Sequence, residues 1–271
     1  MTESNMNKII TSVQKNIKNV RNDDEDNRWI KTKTYWDKFT NSGELVDEII
    51  TDIEDTLNID LNISEISKSK TNITVVKNEN KIWFWREEEA LERLICLFNE
   101  NLFNQEPLNE NTEGKELADI VEKHCGKITT LIELKSWNNT QDSPLYAIIE
   151  LLKNYYLYED RINIRQLVLL APTEYFKYFN AVNNSHLQDL LKVLNNKLKK
   201  YNCNICLKTI NIDFVDWKKN IYGAIPKDLK FKPVNRKSNY YKEIASIDLT
   251  EYKDIFNAYC EELKNWKEIC N

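Results

Sequence analysis

Apolar positions recur at helical spacing over 4–20, where Ile9, Ile10, Val13 and Ile17 share one face, and again over 44–57 through Leu45, Ile49, Ile53 and Leu57. Both stretches predict amphipathic helices of an N-terminal extension, with the charged loop 21–28 between them. From Thr71 the period falls to two: Ile73 and Val75, then Ile82 and Phe84, flank Lys77-Asn78-Glu79-Asn80 and predict a β-hairpin over 71–85. Helical spacing returns in Leu91, Leu94, Ile95, Phe98 and Leu102, behind Glu87, Glu88 and Glu89 in a first turn where the helix dipole favours acids. A helix is expected over 87–103, followed by a loop over 104–115 that is rich in Asn and carries Pro107 and Gly114.

Two apolar stretches then flank Cys125 and Gly126 and predict an antiparallel hairpin over 116–136. Pro144, tolerated in a first helical turn, opens a further amphipathic helix through Leu145, Ile148, Ile149, Leu152 and Tyr156, with Ser143 in its cap region. The run Gln166-Leu167-Val168-Leu169-Leu170-Ala171-Pro172 is continuously apolar after its first residue, as expected of a buried parallel strand that follows a helix. Beyond it the pattern predicts a helix over 183–200, a strand over 202–212 and a closing helix over 249–268. The expectation is an α/β fold, a mixed central sheet flanked by helices. It divides into a helical extension over 1–70, a core over 71–215, and a basic, aromatic segment with its closing helix over 216–271.

Composition narrows the class. With 30% charged residues, and no apolar run near the roughly 18 residues a spanning helix needs, no membrane partner is expected. An N-terminus without the layout of a secretory signal points to the cytoplasm. Six scattered cysteines do not suggest a disulfide framework, and the single pair Cys203 and Cys206 lacks the second pair that structural zinc wants. Four glycines in the whole chain leave no phosphate-cradling loop. The net charge of −5 argues against a nucleic-acid partner until its distribution is considered: 190–242 holds thirteen Lys or Arg against three Asp. Lys199, Lys200, Lys218, Lys219, Arg236 and Lys237, interleaved with Trp217, Tyr222, Phe231, Tyr240 and Tyr241, suit the binding of phosphates and exposed bases. The same composition also fits a solvated, lysine-rich surface.

The chemistry concentrates in the hairpin. Side chains alternate along a strand, so Glu133 and Lys135 share a face while Ile132 and Leu134 turn into the core. A turn at Cys125 and Gly126 brings Asp119 roughly opposite Glu133, at a cross-strand distance of about 5 Å. Two carboxylates, the Leu134 carbonyl and water make an oxygen-rich site of the kind Mg²⁺ (or Mn²⁺) prefers, and Lys135 is placed to orient a water. His124, in the turn, has two readings, a contact to substrate or a proton shuttle on one side and, as is more usual for a turn histidine, a simply solvated side chain on the other.

Asp119-Ile120-Val121, a turn, and Ile132-Glu133-Leu134-Lys135 together resemble the PD-(D/E)xK pattern of restriction-endonuclease-like nucleases, over about residues 87–171. The resemblance implies a restriction-endonuclease-like core, Asp119 and Glu133 as metal ligands, and Lys135 as the group that positions the nucleophile. It also implies an acid from the preceding helix. Among Glu87, Glu88, Glu89 and Glu92, periodicity puts Glu87 and Glu88 closest to the buried stripe, and Glu88 is the candidate carried forward. Gln141, Glu150 and Lys153 on the following helix are further polar candidates. The chain departs from the pattern at Ala118, where the name has Pro, and in offering one hairpin where the family core has three strands; 71–85 is the candidate for the missing strand.

The expected function is therefore metal-dependent hydrolysis of phosphodiester bonds, in DNA, in a setting of restriction, defence or repair. The N-terminal helices would meet a protein partner or a second copy of the chain. The alternative is a binding or scaffold protein that keeps the fold without the chemistry.

Overall fold

A computed structural model describes residues 33–42, 87–107, 117–137, 142–158, 160–225 and 253–270. The helices expected over 4–20 and 44–57 and the hairpin expected over 71–85 lie outside these residues.

Six strands form one sheet in sequence order. They are β1 (Leu102–Pro107), β2 (Leu117–His124), β3 (Lys127–Leu134), β4 (Gln166–Pro172), β5 (Asn204–Ile210) and β6 (Lys267–Cys270). β1, β2 and β3 are antiparallel neighbours, β3, β4 and β5 run parallel, and β6 returns antiparallel along β5. The sheet is therefore mixed. The parallel joins require crossovers, which α3 (Pro144–Leu157) supplies between β3 and β4, and α4 (Thr173–Tyr178) with α5 (Ser185–Leu198) between β4 and β5. On the opposite face lies α2 (Glu87–Phe98).

The alternation of side chains sorts the core into two layers. Leu131, Leu167, Leu169, Ile205 and Leu207 meet Ile148, Leu151 and Tyr155 of α3, together with Leu187, Leu190, Leu191 and Leu194 of α5. Ile120, Ile132, Leu134, Val168, Leu170 and Cys206 meet Leu91, Leu94, Ile95 and Phe98 of α2. Cys203 falls in the first layer and Cys206 in the second, so the two thiols face opposite sides of the sheet and cannot share a metal.

The β2–β3 hairpin turns where expected. Cys125 (φ 52) and Gly126 (φ 76) both take left-handed backbone, the combination a two-residue type I′ turn requires. Ser143 caps α3 by accepting from the Tyr146 amide, and Pro144 stands in its first turn.

Three expectations are corrected. The helix beginning at Glu87 ends at Phe98 rather than 103: the Asn99 side-chain amide donates back to the Ile95 carbonyl (2.7 Å), and the chain reverses into β1. The segment 102–107, expected to end a helix and enter a loop, is thus a strand paired with β2, Phe103 opposite Val121. As an outer strand it carries Asn104, Gln105 and Glu106, which hide its alternation. The closing helix is also shorter and broken: Lys253–Phe256 and Cys260–Lys264 are helical with a 3₁₀ turn between, and β6 follows. The structure also contains helices that the apolar pattern does not predict, among them α4 and α1 (Lys33–Ser42); Trp36 and Phe39 of α1 are fully buried in the α3–α5 layer.

Candidate active site

Continuing the register Ile120↔Ile132 by one residue sets Asp119 opposite Glu133. The Asp119 carboxylate accepts a hydrogen bond from the Leu134 amide (2.9 Å), which ties the two strands together at the motif. Glu133 and Lys135 leave β3 on the α3 side, and the Lys135 ammonium donates to Glu133 Oε1 (2.7 Å) and to Glu150 Oε2 of α3 (3.1 Å). Asp142 Oδ2, just before α3, stands 3.9 Å from the same ammonium. The Lys135 amide donates to the Leu170 carbonyl of β4, so the backbone under the lysine is held by the parallel ladder. From the opposite face of the sheet, Glu88 of α2 accepts from the Ser136 amide (3.0 Å). The cluster lies beyond the carboxyl end of β3, where β3 and β4 run parallel, a location at which open α/β sheets commonly bind ligands.

Burial sets this cluster apart from a surface ion pair. Glu133 is 6% and Lys135 4% exposed. Such burial disfavours charge, and it pushes the Asp119 carboxyl from an ordinary 3.8 up to about 7; Glu92 and Glu88 push the same way, against Lys135 and the Leu134 amide. Glu133 is raised for the same leading reason, with Asp119 adding to it and Lys135 opposing. Lys135 is itself raised: burial alone would lower it, but Glu133, Glu150, Asp119 and Glu88 outweigh that effect. Acids thus outnumber the one lysine at the centre, and the imbalance is a demand for positive charge.

Asp119, Glu133, Lys135 and Glu88 are therefore brought together, with the Leu134 backbone between them. Periodicity favours Glu87 and Glu88 over Glu92, yet Glu92 is buried at 2% exposure and acts on Asp119 more strongly than Glu88 does. The signal was present, because Glu88 and Glu92 stand one turn apart and share a face, but a carboxylate beside an apolar stripe reads as a break in it. Asp142 carried no signal: its loop is positioned by the Tyr175 hydroxyl, which donates to its carbonyl (2.7 Å) from α4. Glu150, one of the polar candidates on α3, reaches the lysine; Gln141 is outside the described residues, as is the side chain of Lys153.

The basic residues separate. Lys218 and Lys219 lie in the chain that follows β5, and the neighbouring Trp217 stacks on Trp137, two residues beyond Lys135 (centroids 4.7 Å apart). Lys199 and Lys200 are exposed at the start of β5, a strand of seven residues away from the end that bears the cluster. At about 3.3 Å per residue that is roughly 20 Å. Arg236 and Lys237 are outside the described residues. His124 is corrected too: it pairs with Lys127 at the far end of the hairpin from Glu133, exposed and bonded to Glu122 (3.1 Å).

The donors fit Mg²⁺ or Mn²⁺ in kind, being hard oxygens. Among the described residues no group of three His, Cys, Asp or Glu is arranged to hold a metal ion. Asp119 and Glu88 are turned onto backbone amides and Glu133 onto Lys135. Mg²⁺ commonly binds through one or two carboxylates, completing its shell with water and substrate phosphate, so Asp119, Glu133 and the Leu134 carbonyl remain a sufficient set in chemical terms. No helix among the described residues is long and apolar enough to cross a membrane.

Fold and geometry define an α/β protein with a mixed six-stranded sheet and a buried acid–lysine cluster beyond the carboxyl end of β3. Compared with family models, curated proteins and solved structures, the chain matches none.

Proposed function

We propose that this chain is a metal-dependent phosphodiesterase of the PD-(D/E)xK kind, a nuclease acting on DNA. The observation that carries the reading is the register: Asp119 stands across from Glu133 with Lys135 on the same face, in a buried cluster dominated by acids. The element order supports it. A helix bearing Glu88, three antiparallel strands, a helix and a parallel strand follow one another from Glu87 to Pro172, as in the restriction-endonuclease-like core. The strand that the hairpin pattern lacked is supplied by β1.

Asp119, Glu133 and the Leu134 carbonyl would hold the Mg²⁺ or Mn²⁺, with Glu88 beside them. When bound, the ion would neutralise charge on the phosphate and lower the pKa of a coordinated water. Lys135 orients the attacking water and faces the anionic phosphate; Glu150 and Asp142 hold its ammonium charged and aimed. The water gives up a proton to solvent as its oxygen forms a new bond to phosphorus, the opposite P–O bond breaks, and the departing oxygen takes a proton from solvent. Restriction, defence or repair is the setting the resemblance suggests.

The test is cleavage of plasmid, linear duplex and single-stranded DNA with Mg²⁺, Mn²⁺ or EDTA. Lys135→Ala and Glu133→Gln are compared with the native chain, and melting temperatures establish that each variant folds. Cutting that requires the ion and falls by at least about a hundredfold in both variants is expected. Absence of cutting with either ion would sink the nuclease reading. A second reading, a binding or scaffold protein, draws on the Lys135 cluster itself, since the ammonium is already neutralised by Glu133 and Glu150. On that reading both substitutions change stability and leave binding intact.

A further inference from the structure

Large apolar side chains are exposed just beyond the carboxyl end of β5, two strands along the sheet from β3. Phe214 (36%) and Val215 (69%) open the helical turn Phe214–Asp216 that follows β5. The turn is rigidly mounted. Asp213 caps it by accepting from the Asp216 amide, and the chain then runs through a π-turn, Trp217–Ile221, and a 3₁₀ turn, Tyr222–Ala224. π-turns are rare and recur at functional positions. Gly223 permits this one, because a Cβ there would lie 2.5 Å from the Lys218 carbonyl oxygen.

Two anchors connect the turn to the candidate active site. Trp217, fully buried, stacks between Trp137 (4.7 Å) and Tyr222 (5.8 Å), and the Trp137 indole donates to the Ile212 carbonyl (3.0 Å). Lys218 pairs with Glu87, the neighbour of Glu88, while its ammonium lies over the rings of Phe214 (5.5 Å) and Tyr222 (5.6 Å). Lys219 is exposed beside it.

A partly exposed aromatic ring, an exposed β-branched side chain and the exposed Lys219 together have the chemistry of a single-strand grip: bases stack on the ring and phosphates meet the lysine, while Lys218, paired with Glu87, ties the turn to α2. In an intact duplex the bases already stack on one another, so the ring has little to add. We propose that Phe214 and Val215, with Lys219, bind an unpaired stretch of nucleic acid at the same end of the sheet as the candidate active site. This rests on the nuclease reading for its purpose, though not for its test.

The probe is a fluorescently labelled oligo(dT), and the same length as a duplex, titrated in EDTA and followed by anisotropy. The native chain is expected to bind the single strand more tightly than the duplex. Phe214→Ala with Val215→Ser should weaken single-strand binding by about tenfold and leave the duplex nearly unchanged, while Phe214→Tyr, which keeps a ring, should retain the affinity. Equal or tighter binding of the duplex by the native chain, no binding of either probe, or a double variant that binds the single strand like the native chain would each overturn the proposal. Selective strand binding by a native chain that does not cut therefore counts against the nuclease reading alone, and cutting without selective strand binding counts against this proposal alone.

Discussion

Asp119 has its carboxyl opposite Glu133, within the influence of Glu88 and Glu92, and burial dominates its titration. Its acid is stronger in the unfolded chain, at 3.8, than in the folded one, at about 7. The folded state thus holds the proton more tightly. The resulting stabilisation is complete below the unfolded value and is lost as pH rises through about 7. Glu133, also raised, acts in the same direction; Lys135, raised from an already high value, stays charged throughout this window. In EDTA the melting temperature should therefore fall as pH rises from about 5 to about 8, and Asp119→Asn should flatten that slope. A slope unchanged by the substitution would remove Asp119 from the account. That Glu133 and Lys135 share a face was legible from the alternation in β3; the register was not, because a two-residue turn alone sets position 119 opposite 132, and the bulge between Glu122 and Lys123 is what brings Asp119 opposite Glu133. The depth at which these residues meet was not legible either, because Glu150 and Asp142 reach Lys135 only through the crossover helix and the loop before it.

Among the elements, α1 shows how an extension is joined to the core. Trp36 and Phe39 are fully buried, the Trp36 indole donates to the Phe179 carbonyl, and the Trp36 ring meets Phe179 edge-on at 6.1 Å. Trp36→Ala should destabilise the protein by about 3–5 kcal/mol in chemical denaturation, the usual cost of deleting a buried tryptophan. A change below about 1 kcal/mol would mean that α1 is peripheral. No apolar periodicity announces this helix, since two aromatic anchors make no stripe. β1 is hidden for a related reason: a strand at the edge of the sheet among the described residues tolerates the polar run Asn104-Gln105-Glu106. β4 is readable because parallel neighbours on both edges and helical layers on both faces demand a continuous apolar run.

At the scale of the whole molecule, the sheet separates two layers of buried side chains. Its thiols report on each layer. Cys203 faces one and Cys206 the other, and burial pushes them up to about 12 and about 11. Cys125 sits exposed in the hairpin turn. A thiol reagent near neutral pH should label Cys125 quickly, while Cys203 and Cys206 should react at matching rates set by unfolding. Fast labelling of Cys206 alone, read by peptide mass, would show that the α2 side opens independently.

Local pattern determined a good deal by itself: the hairpin and the place of its turn, α2, α3, α5, the buried strand β4, and the shared face of Glu133 and Lys135. Each depends on the period of side chains along one element or on a turn a few residues long, which neighbouring positions encode. Only the tertiary structure decided the rest. It set the chain into one mixed sheet, carried Glu92 and Glu150 to the motif from separate helices, and stacked Trp217 on Trp137. It also left Lys199, Lys200 and His124 at the far end from the acids. Those outcomes depend on strand direction and on which face a distant element covers, and no periodicity within a single element carries that information.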